Sequence, residues 1–184
     1  MSTRKILFLD FEDSFSFNVV QELTALSLDV VIKNWKDFQG SEDFDLLVLG
    51  PGPGHPDDYQ EIFPLLKNWK GKFFGICLGH QILWRLKGVE VKRSEFPLHG
   101  QKVKLNLNQD WQEWLNLPDS IWVQRYNSLA VKGEELMGDV INHLEGGEIM
   151  MSRCESFISY QFHPESVGTN CRDSFFRAVT GNLL

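Results

Sequence analysis

The chain has 184 residues, of which 42% are hydrophobic and 23% charged, and its formal net charge is −7. This length and composition are those of a globular protein with a full core, so we expect residues 1–184 to form a single domain. The acidic balance argues against nucleic-acid binding, and no apolar run reaches the ~20 residues that a membrane span needs.

The cellular setting follows from the cysteines and the N-terminus. Three cysteines without a C-x-x-C spacing argue against a disulfide framework and against a zinc site. Residues 1–5 lead directly into an apolar run and lack the pattern of a signal peptide. We therefore expect a cytoplasmic protein with no membrane segment and no bound metal.

The first half of the chain alternates strand patterns with helix patterns. Short apolar runs, typical of parallel strands covered on both faces, occur at residues 6–9, 30–32, 45–49 and 72–74. Helical patterns occur at 17–26, 62–69 and 82–87. Strands that alternate with helices predict a doubly wound, mostly parallel α/β sheet.

The second half has a different pattern, with short strand candidates and frequent turns. The candidates are residues 103–107, 121–124, 129–131, 140–141, 149–151 and 157–160. Gly146-Gly147 is predicted to be a hairpin turn. A helix over 172–179 is expected to return and cover the sheet. This half therefore predicts an added antiparallel part.

Cys77 is the candidate nucleophile. It stands between Gly75 and Gly79 in a G-x-C-x-G pattern, the cysteine counterpart of the G-x-S-x-G nucleophile elbow. Small neighbours relieve crowding where a strand turns directly into a helix. The turn would present the sulfur at a helix N-terminus, where the N–H groups and the helix dipole favour thiolate over thiol. The alternative is a small buried apolar cysteine, and the flanking glycines count against it.

A reactive cysteine needs a base, and His163 is the candidate. Pro164 disfavours a helical conformation at His163, so the segment should be extended. Because side chains i and i+2 of an extended segment point to the same side, the Glu165 carboxylate should lie beside the imidazole and orient it. The alternative interpretation is a polar loop at a strand end.

His80 is the main rival base, because it lies three residues after Cys77 on the same helical face. Packing or hydrogen bonding within the nucleophile turn is the role we favour for it. His55, His99 and His143 have no acidic or cysteine neighbour at ligand spacing, and we expect them in loops or on the surface.

The stretch Gly50-Pro51-Gly52-Pro53-Gly54 is a candidate oxyanion loop. It follows the predicted strand 45–49, so this stretch and Cys77 should open onto the same edge of the sheet, where ligands bind in doubly wound folds. Prolines lack an N–H, so the glycines must supply the donors. The N–H groups of Gly52 and Leu78 would flank the anion formed when the sulfur attacks a carbonyl. A stiff turn is the alternative.

These segments resemble a known family, the class I (triad) glutamine amidotransferases. The two motifs that carry the resemblance are Phe74-Gly75-Ile76-Cys77-Leu78-Gly79-His80-Gln81 and Gln161-Phe162-His163-Pro164-Glu165-Ser166. Residues 10–18, 49–54 and 125–129 resemble the branch that serves chorismate-using enzymes, the small subunits of anthranilate synthase and aminodeoxychorismate synthase. The resemblance covers essentially the whole chain and implies a flavodoxin-like, three-layer fold.

The resemblance implies roles for the matching residues. Cys77 would be the nucleophile, His163 the base and Glu165 its orienting carboxylate. Gly52 and Leu78 would be the oxyanion donors, and the residues that hold L-glutamine would be Gly52, Pro53, Gly54, Gln81, Ser128 and Leu129. The implied reaction converts glutamine to glutamate and ammonia through a γ-glutamyl thioester, without a cofactor or metal. The ammonia would pass to a larger chorismate-binding synthase subunit.

Some positions depart from the family's pattern and leave the ammonia acceptor open. Phe11-Glu12 stands where Asn-Tyr is usual, Tyr160 stands where glycine is usual, and the segment 132–148 is short. One alternative is a glutaminase subunit for a different acceptor. Another is a non-catalytic regulatory partner with the same fold, against which the intact catalytic residues argue.

Overall fold

The computed structural model describes residues 4–41, 43–133, 140–143 and 146–184. Its first half contains β1 (Lys5–Asp10), α1 (Ser16–Ala25), β2 (Asp29–Asn34), β3 (Leu46–Leu49), α2 (Phe63–Asn68), β4 (Lys72–Ile76) and α3 (Leu78–Leu86). Two 3-10 segments, Trp35–Asp37 and Pro56–Ile62, lie between these elements. The alternation predicted for this half is confirmed.

The second half contains more strands than helices. Its elements are β5 (Val91–Asn106), α4 (Gln109–Leu115), β6 (Ser120–Val131), β7 (Val140–His143), β8 (Ile149–Arg153), β9 (Phe157–Tyr160) and α5 (Arg172–Asn182). Among the described residues, no helix is both long enough and apolar enough to cross a membrane.

A seven-stranded sheet in the order β2-β1-β3-β4-β9-β8-β7 forms the centre of the fold. The first five strands run parallel to one another. β8 pairs antiparallel with β9, and β7 pairs antiparallel with β8. Leu49 pairs with Gly75, and Ile76 pairs with Tyr160, so β3, β4 and β9 end level with one another. The segments that follow these three strands therefore meet at one edge of the sheet.

Helices cover both faces of this sheet and give three layers. On one face Ile6 and Phe8 of β1 share a core with buried side chains of α1, α4 and α5. On the other face Leu7 and Leu9 pack with α2 and α3. Because both faces are covered at the centre of the sheet, β1 and β3 carry continuous apolar runs, which is the pattern that identified them in the sequence. The edge strand β2 is less covered, and its Val31 and Ile32 are exposed.

A second, two-stranded antiparallel sheet joins β5 and β6. Residues 121–124 and 129–131, predicted as separate strands, are parts of the single strand β6, so that prediction is wrong. β5 begins at Val91, well before the predicted start at residue 103, and its register shifts between Arg93 and Leu98. The irregular register hides the strand period that prediction from sequence relies on.

Two local features remain, one that the sequence did not predict and one that it did. Helix α4 was not predicted, although Asn108 caps it by accepting from the Trp111 N–H, and Trp111 and Leu115 bury one face. Gly146 and Gly147 both adopt positive φ, at 92° and 78°, and they precede β8, which pairs with β7 as a hairpin would. Residues 144–145, between β7 and the predicted turn, lie outside the described residues.

Candidate active site

Cys77 occupies a strained turn between β4 and α3. Its φ of 52° and ψ of −101° lie outside the regions that a residue with a side chain favours. Its N–H donates to the Tyr160 carbonyl at 2.8 Å, which holds the turn against β9. The side chain is 7% exposed, so the sulfur is enclosed yet reachable.

Gly75 and Gly79 allow α3 to pack directly against the sheet. A Cβ on Gly79 would overlap the Leu49 carbonyl oxygen, and a Cβ on Gly75 would lie 2.8 Å from the Gly79 backbone. The Gly79 N–H also donates to the Gly50 carbonyl at 3.2 Å. The two glycines are therefore required by the close approach of helix and strand, as the elbow pattern predicts.

His163 and Glu165 form a buried pair. The His163 Nδ1 lies 2.6 Å from the Glu165 Oε1, and each residue is 2% exposed. The rings of Phe15 and Tyr126 each pack 5.1 Å from the imidazole. The carboxylate therefore fixes one ring nitrogen and the aromatic rings fix the plane. The prediction that this segment is extended is wrong, because the Ser166 N–H donates to the His163 carbonyl at 3.2 Å and residues 163–166 form a turn that brings the carboxylate to the ring.

The surroundings of His163 favour its protonated form. Burial alone would lower the pKa of His163, but the Cys77 sulfur and the Glu165 carboxylate outweigh burial and raise this pKa well above 6.5. A ring held as imidazolium next to the sulfur stabilises a thiolate and stores a proton for a leaving group.

A cleft of about 430 Å³ opens beside the sulfur. Every residue predicted to form the oxyanion site or to bind glutamine lines it, together with Cys77 itself: Gly52, Pro53, Gly54, Leu78, Gln81, Ser128 and Leu129. A Cβ on Gly52 would lie 2.5 Å from the side chains of both Leu78 and Phe11, so the loop is enclosed on two sides. Leu78 begins α3, and its N–H is one of those a helix leaves without an intrahelical acceptor.

Gln81 and Gln161 connect the floor of the cleft to its wall. The Gln81 Nε2 donates to the Leu129 carbonyl at 3.1 Å and to the Gln161 Oε1 at 3.0 Å. The Gln161 Nε2 lies 3.8 Å from the Cys77 Sγ. No role was predicted for Gln161 from the sequence, although it lies two residues before His163, a spacing at which the side chains of an extended segment point to the same side.

His55 lies in a loop and His99 is exposed, as expected, yet both contact the site. His55 lines the cleft, and its Nδ1 accepts from the Asp57 N–H at 3.1 Å. The exposed His99 places its Nε2 2.9 Å from the Ser128 Oγ. The contact of His99 depends on the pairing of β5 with β6, whereas the contact of His55 with Asp57 is local. The side chain of His143 lies outside the described residues.

A buried ion pair that sequence analysis missed lies behind the cleft wall. The Arg125 Nη2 is 3.0 Å from the Glu148 Oε2, and neither side chain is exposed. The Arg125 Nε donates to the Asn127 Oδ1 at 3.0 Å, and the Asn127 Nδ2 donates to the Leu129 carbonyl at 2.8 Å. Burial lowers the pKa of Arg125, and the Glu148 carboxylate opposes that shift. The pair therefore braces the strand that carries residues 126–129.

His80, the rival base, is fully buried in a different polar network. Its Nδ1 lies 2.9 Å from the Ser159 Oγ, which in turn is 2.7 Å from the Ser152 Oγ. The Ser152 Oγ accepts from the Trp84 Nε1 at 3.0 Å. Burial lowers the pKa of His80 to about 3, although the Ile149 backbone opposes the shift. A neutral ring bonded to a serine on β9 fits the hydrogen-bonding role that the sequence favours.

Taken together, the doubly wound sheet and its site define a class: proteins that place a cysteine at a strand-to-helix turn beside a histidine–carboxylate pair. The sequence profile described as "Glutamine amidotransferase class-I" matches residues 7–180. The chain belongs to the class I glutamine amidotransferase family.

Curated relatives and solved structures agree with this family. The chain is 34% identical to aminodeoxychorismate/anthranilate synthase component 2 of Bacillus subtilis, covering 97% of this chain and 95% of the relative. It is 32% identical to anthranilate synthase component 2 of Lactococcus lactis, covering 89% and 87%. It is 30% identical to the phenazine-specific anthranilate synthase of Pseudomonas fluorescens, covering 91% of this chain but only 28% of that longer protein.

Solved structures of other proteins share this fold. A putative GMP synthase subunit from Thermoplasma acidophilum superposes with a TM-score of 0.86 at 21% identity, covering 100% of this chain and 95% of the neighbour. A glutamine amidotransferase from Thermotoga maritima gives a TM-score of 0.69 at 18% identity, covering 100% and 85%. At these identities the likeness establishes the architecture alone.

Proposed function

We propose that this chain hydrolyses L-glutamine to glutamate and ammonia as the glutaminase component of a chorismate-aminating synthase. The observation that carries the proposal is the position of Cys77, at a strained helix N-terminus, next to the cleft that the predicted glutamine-binding residues line. The buried His163–Glu165 pair supplies the proton chemistry that such a nucleophile needs, and the sulfur is one of the groups that raise the pKa of His163.

In the proposed reaction the Cys77 thiolate attacks the side-chain amide carbon of glutamine. The carbonyl π electrons move to oxygen, and the N–H groups of Gly52 and Leu78 stabilise that oxyanion. The oxyanion collapses to a γ-glutamyl thioester, and the C–N bond breaks as His163 gives its proton to the leaving nitrogen, which departs as ammonia. A water then attacks the thioester, His163 takes its proton, and glutamate and the thiolate are released.

The cleft can hold the amino-acid end of the substrate. Gln81 is fixed by its bonds to Leu129 and Gln161, so its amide presents a defined orientation to the cleft. Ser128 is held from outside by His99, and Asn127 anchors the Leu129 carbonyl. Gln81, Ser128 and Leu129 would bind the α-amino and α-carboxylate groups and leave the side-chain amide facing the sulfur.

Two relatives that this chain nearly spans are named component 2 of an anthranilate or aminodeoxychorismate synthase, which supports a subunit that works with a larger partner. We infer that the partner is a chorismate-binding synthase subunit that accepts the ammonia. Because all three cysteines are free thiols, we also propose the cytoplasmic location expected from the sequence, where thiols stay reduced.

The proposal is tested by Cys77→Ser in a complex reconstituted with the native partner, isolated by copurification. We expect glutamine-dependent formation of the aromatic product to be abolished, while ammonia-dependent formation stays near the wild-type rate, because only the ammonia supply needs the sulfur. Cys171→Ser, which changes an exposed cysteine outside the cleft, is the matched control and should retain both activities. Glutamine-dependent synthesis near wild type in Cys77→Ser would exclude Cys77 as the nucleophile.

A further inference from the structure

Tyr59 contacts the loop 50–54 although it does not itself line the cleft. Its hydroxyl donates to the Pro53 carbonyl oxygen at 2.8 Å. The side chain is 7% exposed and belongs to the 3-10 segment Pro56–Ile62, at a kink where the backbone leaves helical geometry (φ −112°, ψ 23°). The Tyr59 hydroxyl is thus hydrogen-bonded to the residue that directly follows Gly52.

Aromatic packing holds the Tyr59 ring in place. The ring meets Phe11 edge-on at 5.1 Å and Trp35 edge-on at 5.0 Å, while Phe11 and Trp35 stack at 6.5 Å. Phe11 also packs against the loop itself, since a Cβ on Gly52 would lie 2.5 Å from the Phe11 Cβ. The cluster of Phe11, Trp35 and Tyr59 therefore packs against the loop and directs the Tyr59 hydroxyl at it.

The sequence of the loop makes a contact from outside valuable. Pro51 and Pro53 have no N–H, and the glycines permit many backbone conformations. The ends are tied, because the Gly50 carbonyl accepts from Gly79 at 3.2 Å and the His55 N–H donates to the Asp58 Oδ2 at 2.7 Å. The bond from Tyr59 fixes the Pro53–Gly54 peptide and so restricts the backbone that directly follows Gly52, whose N–H must point at the substrate.

We propose that Tyr59 is a positioning residue that, through the Pro53 carbonyl, holds the Gly52 N–H in the orientation that stabilises the oxyanion. The proposal rests on the glutaminase function proposed above. Burial and the carboxylates of Asp58, Glu12 and Asp13 raise the pKa of Tyr59, so the hydroxyl keeps its proton and remains a donor at neutral and mildly alkaline pH.

The test is Tyr59→Phe, which deletes the hydroxyl and keeps the ring. An oxyanion donor acts in the transition state, so kcat for glutamine hydrolysis should fall about threefold to tenfold while KM stays within about twofold. Alkylation of Cys77 by iodoacetamide, followed by peptide mass spectrometry, uses no oxyanion hole and should keep its wild-type rate. Trp114→Phe is the control, since it deletes a hydrogen bond to Asn182 outside the cleft.

An unchanged kcat in Tyr59→Phe, or an equal fall in the alkylation rate, would overturn the proposal. Amide hydrogen exchange of the peptide that spans residues 50–55 gives a readout that does not need turnover. Exchange at Gly52 and Gly54 should be faster in Tyr59→Phe than in wild type and Trp114→Phe. If wild type does not hydrolyse glutamine, the proposed function fails, and exchange still decides the role of Tyr59 in the loop. Equal exchange in all three proteins would refute it.

Discussion

His163 and His80 are both buried, yet their surroundings shift the pKa of the two rings in opposite directions. His163 lies between a sulfur and a carboxylate, which stabilise its charge. His80 meets the neutral hydroxyl of Ser159, and burial dominates. Burial keeps the His80 ring neutral, whereas the His163 ring holds a proton next to the sulfur, and therefore His163 is the ring suited to proton transfer.

This difference predicts how the variants should behave. His163→Ala should lower kcat for glutamine hydrolysis by on the order of 10²–10⁴, because it removes a positioned proton carrier. Glu165→Gln should be milder, since the amide can still contact the ring but supports its charge less. His80→Ala should mainly lower the melting temperature. Initial rates and thermal unfolding of the three purified variants would check this.

The outcome that contradicts the assignment is a folded His80→Ala protein without activity alongside a His163→Ala protein with normal turnover. Circular dichroism of each variant separates loss of the fold from loss of the base. Loss of activity with a native spectrum in His163→Ala is the expected result.

At the scale of elements, helix α3 depends on the absence of a side chain at Gly79. A Cβ there would overlap the Leu49 carbonyl, which belongs to a central strand and cannot move without disturbing the sheet. We expect Gly79→Ala to destabilise the fold by roughly 2–4 kcal/mol and to abolish activity, because the elbow must shift. Urea unfolding and glutamine hydrolysis would measure the two effects.

Gly181→Ala in helix α5 is the matched control. No atom lies within 4 Å of a Cβ at this position, which is exposed and helical. Alanine should therefore stabilise the protein by about 0.5–1 kcal/mol, through its higher helix propensity, and leave activity unchanged. Similar losses of stability in both variants would show that the packing argument for Gly79 is wrong.

The elements differ in how far the sequence predicts them, and the reason is physical. The parallel half could be predicted because a strand buried on both faces is apolar throughout and a helix repeats its apolar positions. Strand β5 could not, because its register shifts near Arg93 and its burial pattern is irregular. Helix α4 has only seven residues, so its signal in the sequence is limited to a capping residue, Asn108, and two buried positions.

The contacts of the candidate site also fall into those that the local sequence predicts and those that it does not. The contact of His163 with Glu165 is local, although a turn forms it and not the extended segment that the sequence predicts, and the glycines beside Cys77 follow from a local turn. The Arg125–Glu148 pair and the Tyr59–Pro53 bond could not be found in this way. Tyr59 and Pro53 are six residues apart across a kink, and Arg125 and Glu148 are 23 residues apart, so tertiary packing decides both contacts.

For the molecule as a whole, the buried polar groups make stability depend on pH. His80 has a pKa of about 3 in the folded protein and about 6.5 when unfolded, so the unfolded chain binds more protons between these values. The stabilising contribution of the neutral ring is present above pH 6.5 and is lost as the pH falls. His163 has the opposite sign, because its raised pKa stabilises the fold at low pH and that contribution fades as the pH rises.

We therefore predict that the free energy of unfolding falls by about 2 kcal/mol between pH 7 and pH 5 because of His80 alone, at about 1.4 kcal/mol per pH unit below 6.5. His80→Asn keeps a group that can bond to Ser159 but does not titrate, so its stability should change less over this range. Trp114→Phe, which deletes a hydrogen bond outside this network and removes no titrating group, should keep the wild-type pH dependence. Urea unfolding of the three proteins at pH 5, 6 and 7 gives the slopes, and parallel slopes for wild type and His80→Asn would show that His80 is not the group responsible.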